Sequence, residues 1–228
     1  LSKQTHIIAA NIDQVFLMIT LKTPQTFPAF IDRFLVTAQA YEINVVLLFN
    51  KIDIYNKVEL SAMTNLKGVY QKIGYECYEV VATDSKTLDI IDSKMKGKVS
   101  MFCGHSGVGK STIVNALSPG LNLKTGMVSK QNQQGQHTTT FAEMFDLGAS
   151  RIIDTPGIKG FGIVGIKPEE LSGYFIEFAI LKGSCKFNNC LHTSEPNCAI
   201  KEAIEEGEIA PSRYKSYLQL LEEDSLYR

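Results

Sequence analysis

Three short segments of this 228-residue chain carry phosphate and base chemistry. Gly104-His105-Ser106-Gly107-Val108-Gly109-Lys110-Ser111 has the form G-x-x-x-x-G-K-[ST]. In such a loop the glycines let backbone N–H groups wrap phosphates, Lys110 reaches the outer phosphates, Ser111 can ligate Mg²⁺, and Thr112 continues into a helix N-terminus. His105 stands at a variable position and brings no chemistry of its own. Asn50-Lys51-Ile52-Asp53 matches N-K-x-D, the element that reads guanine. The Asp53 carboxylate can accept from the two adjacent N–H groups on guanine's edge. Adenine leaves that acceptor unpaired, so the pair selects GTP over ATP. Asn50 is expected to brace the base pocket, and the aliphatic stem of Lys51 to cover the ring. Asp154-Thr155-Pro156-Gly157 matches D-x-x-G, in which Asp154 holds Mg²⁺ through water and the Gly157 N–H senses the γ-phosphate.

The order of these motifs is unusual. In ordinary GTPases the phosphate loop precedes the guanine reader, whereas here Asn50 comes before Gly104, the arrangement of a circularly permuted GTPase. Val81-Ala82-Thr83-Asp84-Ser85-Lys86 is a loose match to the loop that contacts the base oxygen. Ile158 follows Gly157 where many GTPases place a water-orienting Gln. His137 is the candidate substitute, because it lies two to three residues from Thr139 and Thr140, expected with Ser111 and Asp154 in the Mg²⁺ shell. Which of Thr138, Thr139 and Thr140 ligates is left open by the sequence.

A fourth constellation is Cys185-x₄-Cys190-x-His192-x₅-Cys198. Three thiolates and one imidazole suit tetrahedral Zn²⁺, and four protein ligands make the site closed and structural. Reduced core cysteines or an iron–sulfur cluster are the alternatives. An odd count of five cysteines beside a nucleotide motif argues against a secreted disulfide scaffold.

These residues need elements to hold them. Apolar runs predict strands at 14–20, 45–49, 76–81 and 98–103, and periodicity predicts helices at 27–41, 57–73, 87–94 and 110–117. That alternation predicts an α/β fold, a doubly wound, mostly parallel sheet. Phe141 to Leu147 and Arg151 to Ile153 predict a hairpin, after a polar loop over 118–140 of the kind that is functional or mobile. Beyond Lys167 the pattern turns helical, with Pro168 and Pro211 at helix starts. The expected division is a GTPase domain at 1–165 and a small helical zinc-binding domain at 166–228.

Composition supports a soluble class, with 44% hydrophobic and 21% charged residues. No apolar stretch approaches the roughly 20 residues that cross a bilayer, so the expectation is a cytoplasmic monomer without membrane association. Net charge is only −1, but residues 94–142 carry six lysines and no Asp or Glu. Residues 168–228 instead hold eleven acidic against six Lys or Arg side chains. Solvated surface and partner binding are equally open readings of both stretches. The start at Leu1 suggests a missing N-terminal domain.

With Ile8-Ala9-Ala10-Asn11-Ile12-Asp13-Gln14, Gly135-Gln136-His137-Thr138-Thr139-Thr140 and Cys185-Lys186-Phe187 added, the motif set resembles the bacterial small-ribosomal-subunit-dependent GTPases. The resemblance extends over nearly all of the chain. It implies slow intrinsic hydrolysis of GTP to GDP stimulated by the small ribosomal subunit, with GTP-ordered switch loops controlling association and release, and a role in late maturation of that subunit and its rRNA. It also implies an N-terminal RNA-binding OB-fold domain. A nucleotide-gated RNA-binding module with negligible hydrolysis is the alternative, because Ile158 replaces Gln.

Overall fold

The computed structural model describes residues 11–118, 120–121, 143–154 and 166–226. It divides into two compact units, Leu1–Thr26 with Ile43–Gly160, and Phe27–Glu42 with Phe161–Arg228. The helix following the first strand belongs to the second unit.

The first unit is built on a six-stranded sheet of order β3-β2-β1-β4-β6-β5. Its strands are β1 (Gln14–Ile19), β2 (Asn44–Asn50), β3 (Glu76–Val80), β4 (Val99–Cys103), β5 (Glu143–Asp146) and β6 (Arg151–Asp154). All pairings are parallel except β5 with β6, the expected hairpin at one edge. β1 is central and buried along its whole length, which is why it reads as an uninterrupted apolar run after Gln14. Phe16 aligns with Val46 on one side and Phe102 on the other, and the Phe16 and Phe102 rings stack with centroids 5.0 Å apart. This face is closed by Ile91 and Met95 of α3 (Ser85–Met95) and Ile113 and Val114 of α4 (Lys110–Leu117). The alternate residues Val15, Leu17 and Ile19 are equally buried, so both faces are covered, as a doubly wound sheet requires.

β1 stops one residue short of the expected Thr20. The Thr20 N–H donates to the Thr26 hydroxyl instead of continuing the ladder, and this opens the 20–26 turn. Helix α2 (Lys57–Lys72) starts at a capping box: the Asn56 side chain accepts the Glu59 N–H, and the Glu59 carboxylate accepts the Asn56 N–H.

The second unit is helical. It comprises α1 (Pro28–Ala40), α5 (Pro168–Leu171), α6 (Ile176–Leu181), α7 (Ala199–Glu205) and α8 (Pro211–Leu226). Its core joins Val36 of α1 to Phe175, Phe178, Ile200, Tyr217 and Leu220. At the centre lies Arg213, 1% exposed. Its Nε and Nη2 donate to the two oxygens of Glu177 at 2.7 and 3.0 Å, its Nη1 donates to Asp32 at 2.7 Å, and its guanidinium sits 4.6 Å over the Phe175 ring. Burial would lower the Arg213 pKa, but Asp32 and Glu177 more than offset that and raise it. The triad ties α1, α6 and α8 together, which is the physical reason α1 groups with residues more than a hundred positions away. No helix among the described residues is long and apolar enough to cross a membrane.

Candidate functional site

The two motifs that are inverted in sequence meet at the carboxyl ends of the parallel strands. β4 ends at Cys103 and releases the glycine loop, β2 ends at Asn50, and β1 lies between them. From β1 the chain winds first to β2 and β3 and then back to β4, so the crevice beside β1 is the switch point where open α/β sheets bind ligands.

The loop can take this course only with glycine at two places. A Cβ on Gly104, at φ +138°, would lie 2.6 Å from the Met18 carbonyl oxygen. A Cβ on Gly109, at φ +107°, would lie 2.4 Å from Asn50 Nδ2. Ser106 and Gly107 are exposed, Val108 is buried, and α4 begins at Lys110, with half-buried Ser111 and Thr112 in its first turn. The Lys110 ammonium donates to the carbonyls of Gly104 at 2.8 Å and His105 at 2.9 Å. Burial, then the Lys110 charge, pushes the His105 pKa down, so the imidazole is neutral beside a cationic loop. Cys103, just before the loop, has its thiol pushed far up by burial and is no nucleophile.

The guanine-type motif is pinned onto this loop. Asn50 Nδ2 donates to the Val108 carbonyl at 2.7 Å, and its Oδ1 is buried with no partner among the described residues. Lys51 adopts a left-handed backbone at φ +64°, and its ammonium donates to the Thr23 carbonyl at 2.6 Å and the Gly107 carbonyl at 2.7 Å. A 3₁₀ turn over Ile52–Ile54 then presents Asp53 to solvent. The 81–86 segment turns into α3, and its Val81 N–H donates to the Thr87 hydroxyl.

Asp154 is the last residue of β6, in the strand beside β4. Its side chain, together with His137, Thr138, Thr139, Thr140, Gly157 and Ile158, lies outside the described residues.

In the second unit the four soft ligands converge. The Sγ atoms of Cys185, Cys190 and Cys198 and a ring nitrogen of His192 all lie within 4.8 Å of one another. His192 Nδ1 is 3.4 Å from the Cys198 sulfur and 3.6 Å from that of Cys185. Ligands about 2.0–2.3 Å from a tetrahedral centre are separated by roughly 3.5 Å, so this donor set fits one Zn²⁺. Among the described residues no other group of three or more Cys, His, Asp or Glu is arranged to hold a metal.

The ligand loop is fixed by side chains that the sequence does not flag. The Glu195 carboxylate accepts the N–H groups of Leu191 and Thr193, both at 2.8 Å. Burial alone would raise its pKa, and those backbone donors bring the net value below the ordinary range. From α8, the Tyr217 and Tyr214 hydroxyls donate to the carbonyls of Leu191 and His192 at 2.8 and 2.7 Å. These five hydrogen-bonded residues orient His192, which itself sits at φ +58°. At the guanine-type motif the corresponding unflagged residue is Tyr55, whose hydroxyl donates to the Asn50 carbonyl.

A permuted parallel sheet, a glycine loop at its switch point and an N-K-x-D turn ahead of it in sequence define a circularly permuted GTPase. Comparison with known proteins agrees. The chain belongs to the RsgA GTPase family, whose family model matches residues 1–164. A Flavobacterium johnsoniae protein named small ribosomal subunit biogenesis GTPase RsgA is 61% identical over 225 residues, 98% of this chain and 69% of that protein. The protein of the same name from Christiangramia forsetii is 60% identical across 100% of this chain and 73% of its own length. Among solved structures, YjeQ from Thermotoga maritima superposes with a TM-score of 0.80 at 37% identity, covering 94% of this chain and 72% of that one. YloQ, described as a circularly permuted GTPase, gives 0.79 at 30% identity, covering 96% and 70%.

Proposed function

We propose that this chain binds GTP, hydrolyses it to GDP with Mg²⁺, and couples that cycle to late maturation of the small ribosomal subunit in the cytoplasm, acting as a monomer on the subunit and its rRNA. The observation that carries the nucleotide half of this reading is the joining of the base-reading turn to the phosphate loop by Asn50–Val108 and Lys51–Gly107. The ribosomal half rests on the names of relatives at about 60% identity.

In this reading the exposed Asp53 accepts from guanine's paired N–H groups, while Asn50 and Lys51 hold the pocket to the loop. Backbone N–H groups of Gly104 to Gly109 and the Lys110 ammonium take the phosphates at the N-terminus of α4. Ser111, Asp154 and Thr139 or Thr140 would hold Mg²⁺, which neutralises charge developing on the phosphates. Gly157 would sense the γ-phosphate, and His137 would orient the attacking water in place of Gln. Cys185, Cys190, His192 and Cys198 would hold a structural Zn²⁺ that stabilises the helical unit. D-T-P-G leads along the chain into that unit, so γ-phosphate sensing is coupled covalently to it.

Single-turnover GTP hydrolysis with and without purified small ribosomal subunits tests this function. Stimulation by the subunit supports it, and hydrolysis that ignores the subunit contradicts it. Nucleotide-dependent subunit binding without hydrolysis would favour the gated-module reading that Ile158 suggests. His137→Ala at the stimulated rate tests the water-orienting role, which a wild-type rate removes.

A further inference from the structure

The base-reading motif is closed on itself by a residue outside it. Tyr55 follows the 3₁₀ turn, is 8% exposed, and donates its hydroxyl proton back to the carbonyl of Asn50 at 2.9 Å. One side chain thus spans the loop that contains the whole of Asn50-Lys51-Ile52-Asp53. The same oxygen accepts the Leu21 N–H at 2.8 Å, so it also ties the loop to the turn leaving β1.

That turn is bound to the motif at one further point and to the start of α2 at another. Thr23 accepts from the Lys51 ammonium, and Lys22 forms an ion pair with Glu59 at 2.8 Å, the residue that completes the cap of α2. Tyr55 is therefore followed directly by the capping box and held from outside the loop by the 20–26 turn. The strained link in this ring is Lys51, whose left-handed backbone is disfavoured for a residue with a Cβ. Without a closing bond, relaxation at Lys51 would swing the Ile52–Ile54 turn and move Asp53.

We infer that Tyr55 is a positioning residue for guanine recognition, a clasp that fixes Asp53 and Asn50 in the geometry that discriminates guanine from other bases. This rests on the proposed GTP reading and names a determinant of its specificity. Deprotonation would abolish the donor to Asn50, and burial, only partly offset by the Leu21 N–H, keeps the Tyr55 hydroxyl above its ordinary pKa. The clasp is accordingly intact across the physiological range.

The test is Tyr55→Phe, which keeps the buried ring and removes only the bridging oxygen. Calorimetric titration with GDP, IDP and ADP reads the effect, because IDP lacks the exocyclic amine that contributes one of the two N–H groups to Asp53. The expected result is a GDP Kd raised about tenfold. The IDP Kd rises less, the GDP-to-IDP preference is compressed, ADP binding is unchanged, and for GTP hydrolysis KM changes more than kcat. An unchanged GDP Kd and GDP-to-IDP ratio overturns the inference, as does an equal loss for ADP, which marks a general loosening of the site. Amide hydrogen exchange on the unmodified chain is a second measurement that does not depend on the variant folding. GDP is expected to slow exchange at Leu21 more than ADP does, and identical exchange overturns the clasp. If the unmodified chain does not prefer GDP to ADP, the GTP reading itself fails; if it does and Tyr55→Phe matches it, only the clasp fails.

Discussion

The Asn50 side-chain amide donates to the Val108 carbonyl across 58 positions of sequence and 2.7 Å of space. This bond makes two motifs of inverted order into one site, since neither β2 nor β4 pairs with the other directly.

Asn50→Ala is expected to leave the Val108 carbonyl buried and unpaired. The destabilisation should be about 1–3 kcal/mol, with guanine-nucleotide affinity reduced about tenfold or more. Thermal melting and GDP calorimetry on the same preparation check this, and a stable variant with full affinity would show the bond to be incidental.

Gly109→Ala should be worse, because the added Cβ meets Asn50 Nδ2 at 2.4 Å and must also occupy φ +107°. Backbone strain of this kind is worth on the order of 1–3 kcal/mol. Nucleotide binding should be lost while Gly74→Ala, which has open space at its Cβ, retains it.

Arg213→Met should be strongly destabilising, about 3–5 kcal/mol, because Asp32 and Glu177 then face each other's charge without a cation. Replacing all three with apolar residues of similar volume should recover much of that loss. Urea unfolding midpoints of the single and triple variants measure it, and a mild single variant would mean that the carboxylates are hydrated.

Metal removal should unfold the helical unit selectively. Elemental analysis is expected to find one zinc per chain, and Cys190→Ser or a strong chelator should lose it along with helical circular dichroism. Retention of both zinc and structure in Cys190→Ser would contradict the four-ligand site.

Acid should release the cap of α2. The Lys22 ammonium, and then the Asn56 N–H, hold the Glu59 carboxyl below its ordinary value. A depressed carboxyl contributes stability above the unfolded pKa of about 4.3 and loses it as pH falls through the folded value. The Asn56 amide resonance should therefore be constant from neutral pH down to about 4.3 and move only below it. Movement near neutrality would contradict the assignment.

Much of this was legible from sequence. β1, β2 and β4 are almost wholly buried and read as largely apolar runs, and α4 begins where the lysine of the glycine loop predicts. The four soft ligands are close in sequence, so their convergence needs only a short loop. Helices α6 and α7 were not distinguished, because six and seven residues are too few for a periodic signal. That α1 groups with the second unit was hidden as well, since periodicity marks an apolar face but not the partner, here fixed through Asp32 and Arg213, 181 residues apart. Tyr55 carried no local signal, because its two partners are backbone atoms.

In the proposed reading the inverted motifs form one guanine-nucleotide site with Asp53 as its base reader. Calorimetry of GDP, ADP and XDP against the unmodified chain and Asp53→Asn tests it most directly. An Asn amide offers one donor and one acceptor, which match the carbonyl and N–H that xanthine presents where guanine has two donors. The unmodified chain is expected to prefer GDP to ADP by about a hundredfold or more, and Asp53→Asn to shift the preference to XDP. Equal binding of GDP and ADP by the unmodified chain, or an Asp53→Asn variant that still prefers GDP, would contradict it.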